Sequence, residues 1–108
     1  MIKLTLKTSD GTEVFDKDDL LYIKAEGNYC RFYFKDNKNI LISKCIGKFS
    51  SLEEYGFIRP NRSEIVNVNK IHRFTSGAIW IANQIFTVSR NIDIEELIYK
   101  NQIYPCEN

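Results

Sequence analysis

The sequence lacks the features that define several protein classes. It contains no apolar run near the roughly 18 residues of a membrane-spanning helix. Its opening MIKLTLKTSDG has neither the apolar stretch of roughly 7 to 15 residues nor the small-residue cleavage site of a secretory signal. We therefore expect a protein that does not span a membrane and that stays in the cytoplasm.

Cysteine and histidine are too few for the common metal and disulfide sites. The three cysteines, Cys30, Cys45 and Cys106, show no CxxC spacing, and His72 is the single histidine. The sequence also lacks HExxH, GxSxG and a glycine-rich phosphate loop. We expect no enzyme activity, no metal and no cofactor. A catalytic Cys–His pair and a redox switch of Cys30 with Cys45 are the minor alternatives.

The composition is that of one globular domain with an uneven charge distribution. The 108 residues are 44% hydrophobic and 27% charged, and we place a single domain at 1–108. Residues 20–90 carry 11 basic and five acidic groups, a local charge of +6, whereas the segments before and after them carry −2 and −3. The central segment can face a polyanion, although an ordinary solvated surface would give a similar pattern.

Alternating apolar and polar residues predict a mostly β protein, built from small antiparallel sheets and hairpins with two short helices. The side chains of Cys30, Phe32 and Phe34 share the face of one strand that we assign to the core, because strand side chains alternate. The predicted strands are 2–8, 12–15, 20–26, 29–34 and 39–43, followed by a strand or turn at 64–68 and by the runs HRFT, AIWIA and IFTVSR.

The two helices are predicted from apolar spacing and capping residues. One helix is expected at about 45–55, with apolar residues at every third position, and Gly56 can end it in a left-handed conformation. The other begins after Asp93, which can cap it with Glu96 three residues later. Between the helices, FIRP leads into the polar stretch Asn61-Arg62-Ser63, which we interpret as a loop.

Three sequence blocks, in order, resemble the LytTR family of bacterial DNA-binding domains across about residues 14–99. They are DLLYIKAEGNYCRFYF, FIRPNRSEIVNVNKI and IFTVSRN, the last leading into the final helix. The most specific block is Phe-x-Arg-x-x-Arg-Ser-x-x-Val-Asn at 57–67. The resemblance implies a mostly β scaffold whose loops, rather than a recognition helix, enter the major groove of duplex DNA.

The resemblance also implies which residues contact DNA. Arg62 and Arg90 correspond to base-edge readers, and a guanidinium fork can donate two hydrogen bonds to guanine O6 and N7. A third base contact falls near the Gly27-Asn28 turn, at Asn28, Tyr29 or Cys30. Phosphate contacts are expected from four further residues, Arg59, Asn61, Ser63 and Lys44. Asn67 is assigned a structural role in preference to a DNA contact.

The expected function is that of a bacterial transcription regulator acting on duplex DNA, with two copies forming a homodimer on repeated half-sites. No receiver domain of the response-regulator type fits within this length, so the domain works alone or is a fragment of a longer regulator. Two alternatives stay open at this point. The arginines 59, 62 and 90 could instead pair with Glu53, Glu54 or Glu64. The chain could also be a protein-interaction module that uses its basic face or a sheet edge without DNA.

Overall fold

The computed structural model describes residues 1–106, and positions 107 and 108 of the expected domain lie outside the described residues. The described residues form ten strands in three antiparallel sheets. The strands are β1 (Lys3–Thr8), β2 (Gly11–Asp16), β3 (Leu20–Glu26), β4 (Tyr29–Phe34), β5 (Asn39–Ile42), β6 (Phe57–Asn61), β7 (Glu64–Asn67), β8 (Ile71–Phe74), β9 (Ala78–Ile81) and β10 (Gln84–Thr87). The predicted mostly β fold class is therefore confirmed.

A five-stranded sheet in the order β5-β4-β3-β7-β6 is the central layer. The β1–β2 hairpin packs with one face of this sheet, and the three-stranded sheet β10-β9-β8 packs with the other. Each face has its own core. The first contains Leu6, Ile23, Cys30, Phe32 and Ile65, among others. The second contains Tyr22, Val66, Ile79, Ile81 and Phe86, among others.

Strand alternation divides the central residues between these two cores. On β4, the side chains of Cys30, Phe32 and Phe34 lie in the first core, as predicted. Tyr33 points the other way and stacks on Tyr22, with 4.7 Å between the ring centroids. Side chains from both faces of the central sheet thus pack in a core, and this packing fixes the positions of the strand ends relative to one another.

The two predicted helices are present, and one differs in type. Residues Ile46–Tyr55 form 3₁₀ helix with a kink at Phe49, and Gly56 ends it with a φ of 84°. A three-residue apolar repeat matches the 3.0 residues per turn of a 3₁₀ helix better than the 3.6 of an α-helix. The second helix, α1 (Ile94–Lys100), begins at Asp93, whose carboxylate accepts a hydrogen bond from the Glu96 N–H.

The segment 57–61, which sequence patterning placed at the entry to a loop, is strand β6. It lies at the edge of the central sheet, with a register irregularity between Ile58 and Asn61. An edge strand has one side free of ladder hydrogen bonds, so the missing N–H of Pro60 is tolerated there. The polar loop is correspondingly reduced to a tight turn around Arg62 and Ser63.

Asn67 holds the backbone of neighbouring segments, as predicted, and does not face solvent. Its side chain is fully buried, and its amide nitrogen donates to the carbonyl oxygen of Leu20 at 2.9 Å and to Asp18 Oδ1 at 3.2 Å. Its Oδ1 accepts from the Asn69 N–H at 3.0 Å. Asn67 therefore joins β7 to the segment that connects the hairpin with β3.

We expect this junction to weaken in acid. The Lys17 ammonium, 2.8 Å from Asp18, is the main cause that lowers the pKa of Asp18 below its ordinary value of 3.8. A lowered folded-state pKa contributes stability above the unfolded-state value, and this contribution is lost as the pH falls through the folded-state value. The side chain is 49% exposed, so the contribution should be under about 1 kcal/mol.

The measurement is the free energy of unfolding between neutral pH and about pH 3, for the parent and for Asp18→Asn. The parent should be the more stable of the two at neutral pH, and the gap should close in acid. A gap that stays constant over this range would contradict the assignment.

Candidate nucleic-acid interface

The β6–β7 turn presents Arg62 on a tightly held backbone. Asn61 Oδ1 accepts from the Ser63 N–H at 2.8 Å, as asparagine commonly does in turns. Arg59 Nη2 donates to the carbonyl oxygen of Arg62 at 2.6 Å. The Arg62 side chain is exposed. The turn thus fixes the backbone of Arg62 while leaving its guanidinium group available to a ligand.

The segment after β10 is hydrogen-bonded to the same turn. The Ser89 N–H donates to the carbonyl oxygen of Pro60 at 2.9 Å. The Asn61 amide nitrogen donates to the carbonyl oxygen of Thr87 at 2.7 Å and to Glu64 Oε1 at 2.8 Å. Arg90 follows directly and is exposed. Two arginines that are 28 positions apart in the sequence therefore project from hydrogen-bonded neighbouring segments.

The turn between β3 and β4 lies beside the β6–β7 turn that carries Arg62. The Ala25 N–H donates to the carbonyl oxygen of Ser63 at 2.7 Å, and Lys24 pairs with Glu64 at 3.8 Å. Gly27 has a φ of 63°, a left-handed conformation that glycine adopts without strain. Asn28 and Tyr29 follow it, and Tyr29 is 46% exposed. These two residues can reach a ligand that contacts Arg62.

Cys30, the remaining candidate for the third base contact, is wrong for that role. Its side chain has no exposed surface and lies in the first core, because it alternates with the exposed Tyr29. Burial raises the pKa of Cys30 to about 11, so its thiol stays protonated near neutral pH. The same burial and pKa oppose the redox switch with Cys45, which needs an accessible thiolate.

Lys44 extends the site along the end of the central sheet. Ile42, near the end of β5, pairs with Cys30 at the start of β4. Lys44 is two residues further on and is exposed. Since β5 is three strands from β7, and neighbouring strands are about 4.8 Å apart, this part of the site is roughly 14 Å from the Arg62 turn.

The four proposed phosphate contacts divide into two groups. Ser63 and Lys44 have exposed side chains that can meet a phosphate. Asn61 has its amide nitrogen and its oxygen bonded within the protein, which favours a positioning role for its side chain over a phosphate contact. Arg59 is exposed, but one nitrogen of its guanidinium is bonded to the Arg62 carbonyl. Sequence reasoning missed the positioning role of Asn61, although asparagine before a polar turn is a known signal for it.

The arginines of this site are not neutralised by the carboxylates proposed as alternative partners. Within residues 1–106, no Asp or Glu oxygen lies within 4.0 Å of the guanidinium groups of Arg59, Arg62 or Arg90. Glu64 pairs with Lys24 instead, and Lys24 also reaches Gln84 Oε1 at 3.4 Å. The positive charge at this end of the sheet therefore faces solvent.

The single histidine lies away from the three turns of the candidate interface. His72 Nε2 lies 3.0 Å from the carbonyl oxygen of Ala82 in the three-stranded sheet. Among residues 1–106, no group of three or more His, Cys, Asp or Glu side chains is placed to hold a metal ion. In this part of the chain, no helix is long and apolar enough to cross a membrane.

Comparison with known proteins gives results for the family and for the fold. The family model of the LytTr DNA-binding domain matches residues 10–99. The chain is similar to a solved LytTr DNA-binding domain, assigned to a methyl-accepting/DNA response regulator from Bacillus cereus. The TM-score is 0.67 at 24% identity, and the match covers 94% of this chain and 97% of the other. The search of curated proteins finds no match.

Proposed function

Because the chain belongs to the LytTR family of DNA-binding domains, we propose that it regulates transcription by binding a specific duplex sequence through its turns. The observation that carries the proposal is the pair of hydrogen bonds from Asn61 to Thr87 and from Ser89 to Pro60, which tie the Arg62 turn to the segment that leads into Arg90. Helix α1 is unsuited to recognition, since it has seven residues and buries Ile94 and Ile98.

Arg62 and Arg90 read base edges in the major groove. A guanidinium group donates in a planar fork that matches O6 and N7 of guanine, and each such pair discriminates by about 1–3 kcal/mol. Asn28 or Tyr29 supplies the third contact from the neighbouring turn. Ser63, Lys44 and the free donors of Arg59 bind phosphates, which orient the domain without reading sequence.

Two copies bind repeated half-sites as a homodimer on DNA. A single small module buries only about 600–1,000 Å² of protein surface on DNA, so its affinity alone is modest. When the two copies contact each other, binding of the second half-site becomes an intramolecular step, which raises the overall affinity. The regulated DNA and the protein share the bacterial cytoplasm, and the role is one of binding rather than catalysis.

Binding should weaken steeply with salt. Each neutralised phosphate contributes about −0.9 to the slope of log affinity against log salt concentration. The two charged phosphate contacts, from Lys44 and Arg59, predict a slope of about −2 or steeper for one domain. Fluorescence anisotropy with a labelled duplex at several salt concentrations measures it. A flat dependence would contradict DNA binding through this charged end of the sheet.

Selection of bound duplexes from a random pool tests sequence specificity directly. The recovered sites should share guanines at fixed positions, repeated at a spacing set by two bound copies. A pool that binds without enrichment would contradict base reading. Binding of an acidic protein partner with no affinity for any duplex would favour the interaction-module alternative.

A further inference from the structure

A second charged surface lies beyond the site just described, where the tip of the β1–β2 hairpin meets the end of β5. A cleft of about 420 Å³ separates them. The residues that line it and carry the argument are Lys7, Ser9, Tyr29, Leu41, Ser43 and Lys44. Tyr29 and Lys44 belong also to the candidate DNA interface, so the cleft continues that surface.

The cleft is positively charged. Lys7 and Lys44 are exposed, and within residues 1–106 neither has a carboxylate oxygen within 4.0 Å. Two carboxylates on the strands next to those that line the cleft are already paired, Glu13 of β2 with Lys38 at 2.6 Å and Glu26 of β3 with Arg31 at 2.6 Å. One acidic residue, Asp10 in the hairpin turn, directly follows the cleft residue Ser9 in the sequence.

The hairpin is held firmly enough to present Lys7 at a defined place. Leu6 is buried in the first core, next to Lys7 in the strand. Phe15 packs edge-to-face on Phe34, with 5.0 Å between the ring centroids. The Lys17 N–H also donates to the carbonyl oxygen of Ile2 at the base of the hairpin, at 2.9 Å. The tip and the end of the central sheet therefore form one surface.

We propose that this cleft binds backbone phosphates of the duplex that flanks the recognised bases, with Lys7 and Lys44 as the charged contacts. The inference rests on the proposed function. It extends the proposed DNA interface to residues 7–9, which precede the segment 10–99 that the family model matches. The order along the sheet end is Arg62 and Arg90, then Tyr29, then Lys44 and Lys7. The extra phosphates thus lie on one flank only.

The test compares Lys7→Gln with Lys3→Gln, using the whole chain and a duplex of selected sequence. Lys3 is a matched control because it lies on the same strand, an even number of residues away, at the other end of the hairpin, where it pairs with Asp16 at 3.4 Å. Both variants lose one charge. Only Lys7→Gln should reduce the salt slope, by about 0.9. Its affinity deficit relative to the parent should shrink roughly 3.5-fold between 50 and 200 mM salt.

Two further measurements locate the contact. On a duplex that carries a single half-site, shortening from one end should abolish the difference between Lys7→Gln and the parent, whereas shortening from the other end should preserve that difference. Asp10→Asn removes a negative charge beside the cleft and should tighten binding. Its affinity gain should also disappear on the shortened duplex.

The outcomes separate this inference from the proposed function. If Arg62→Ala weakens binding while Lys7→Gln and Lys3→Gln behave alike on every duplex, the cleft proposal is overturned and the proposed function stands. If the parent chain shows no affinity for duplex DNA, or Arg62→Ala has no effect, the proposed function itself fails.

Discussion

Replacing both Arg62 and Arg90 by alanine is expected to reduce affinity for the selected duplex by about 2 to 6 kcal/mol, because each loses a bidentate base contact worth about 1–3 kcal/mol. Both side chains are exposed, so the variant should keep its fold. Anisotropy titration measures the affinity, and thermal unfolding checks the fold. Against a scrambled duplex the loss should be much smaller, since only phosphate contacts operate there.

Lysine substitutions separate base reading from charge. Arg62→Lys and Arg90→Lys keep the positive charge but lack the planar fork, so they should lose specificity while retaining most of the salt slope. Arg73→Ala is a suitable arginine control. Arg73 lies over the Trp80 ring at 4.3 Å in the three-stranded sheet, outside the proposed contact turns. If the lysine variants distinguish the selected duplex from a scrambled one as well as the parent does, the arginines do not read bases.

Asn61→Ala is expected to reduce specific affinity about as much as loss of one of the arginines, although Asn61 touches no base. It would remove three hydrogen bonds, to Ser63, Glu64 and Thr87, and so release the Arg62 turn from the Arg90 segment. Base contacts lose strength when the groups that make them are no longer held in place. Each lost hydrogen bond should also lower the free energy of unfolding by about 1 kcal/mol.

Asn67→Ala is the matched control for Asn61→Ala. Asn67 lies at the end of β7 that is far from the Arg62 turn. Like Asn61, it accepts from the N–H two residues later, but it joins the sheet to the hairpin connection. Its loss should destabilise the protein at least as much, because it would leave buried polar groups unpaired. The folded protein should nevertheless keep its DNA affinity.

A double-mutant cycle shows whether Asn61 acts through the arginines. Asn61→Ala combined with the Arg62 and Arg90 alanine variants should cost less specific affinity than the sum of the separate losses. In the Asn61→Ala protein the two arginines already make weaker base contacts, so removing them costs less. Additive losses would mean that Asn61 affects binding independently of the arginines. An Asn61→Ala protein that binds as tightly as the parent would contradict the positioning role.

Most of the secondary structure follows from local patterning. The strands 20–26 and 29–34 agree with the bounds in the structure, since alternation and turn residues act over a few positions. The three-residue repeat from Ile46 identified a helix but not its 3₁₀ type. Strand β6 was missed, because Pro60 argues against a strand unless the strand lies at a sheet edge, and edge position depends on the rest of the fold.

The site was only partly predictable. Sequence blocks pointed to Arg62 and Arg90 as candidates, but nothing local indicates that the segments that carry them, 28 positions apart, are hydrogen-bonded neighbours. Alternation assigned Cys30 to the core together with Phe32, whereas the family resemblance leaves the third base contact open among three neighbours that include Cys30. The burial of Cys30 removes it from that choice.

The amino-acid sequence by itself determined the β character, the division of each strand into two faces, the excess of positive charge at 20–90 and the membership of the LytTR family. Only the tertiary structure decided which charges are unpaired and which turns are neighbours. The reason is physical: the bonds from Asn61 to Thr87 and from Ser89 to Pro60 exist only once the three-stranded sheet has packed against the central one. Packing of that kind brings together buried side chains that are far apart in the sequence. Patterns within a few neighbouring residues carry no information about such contacts.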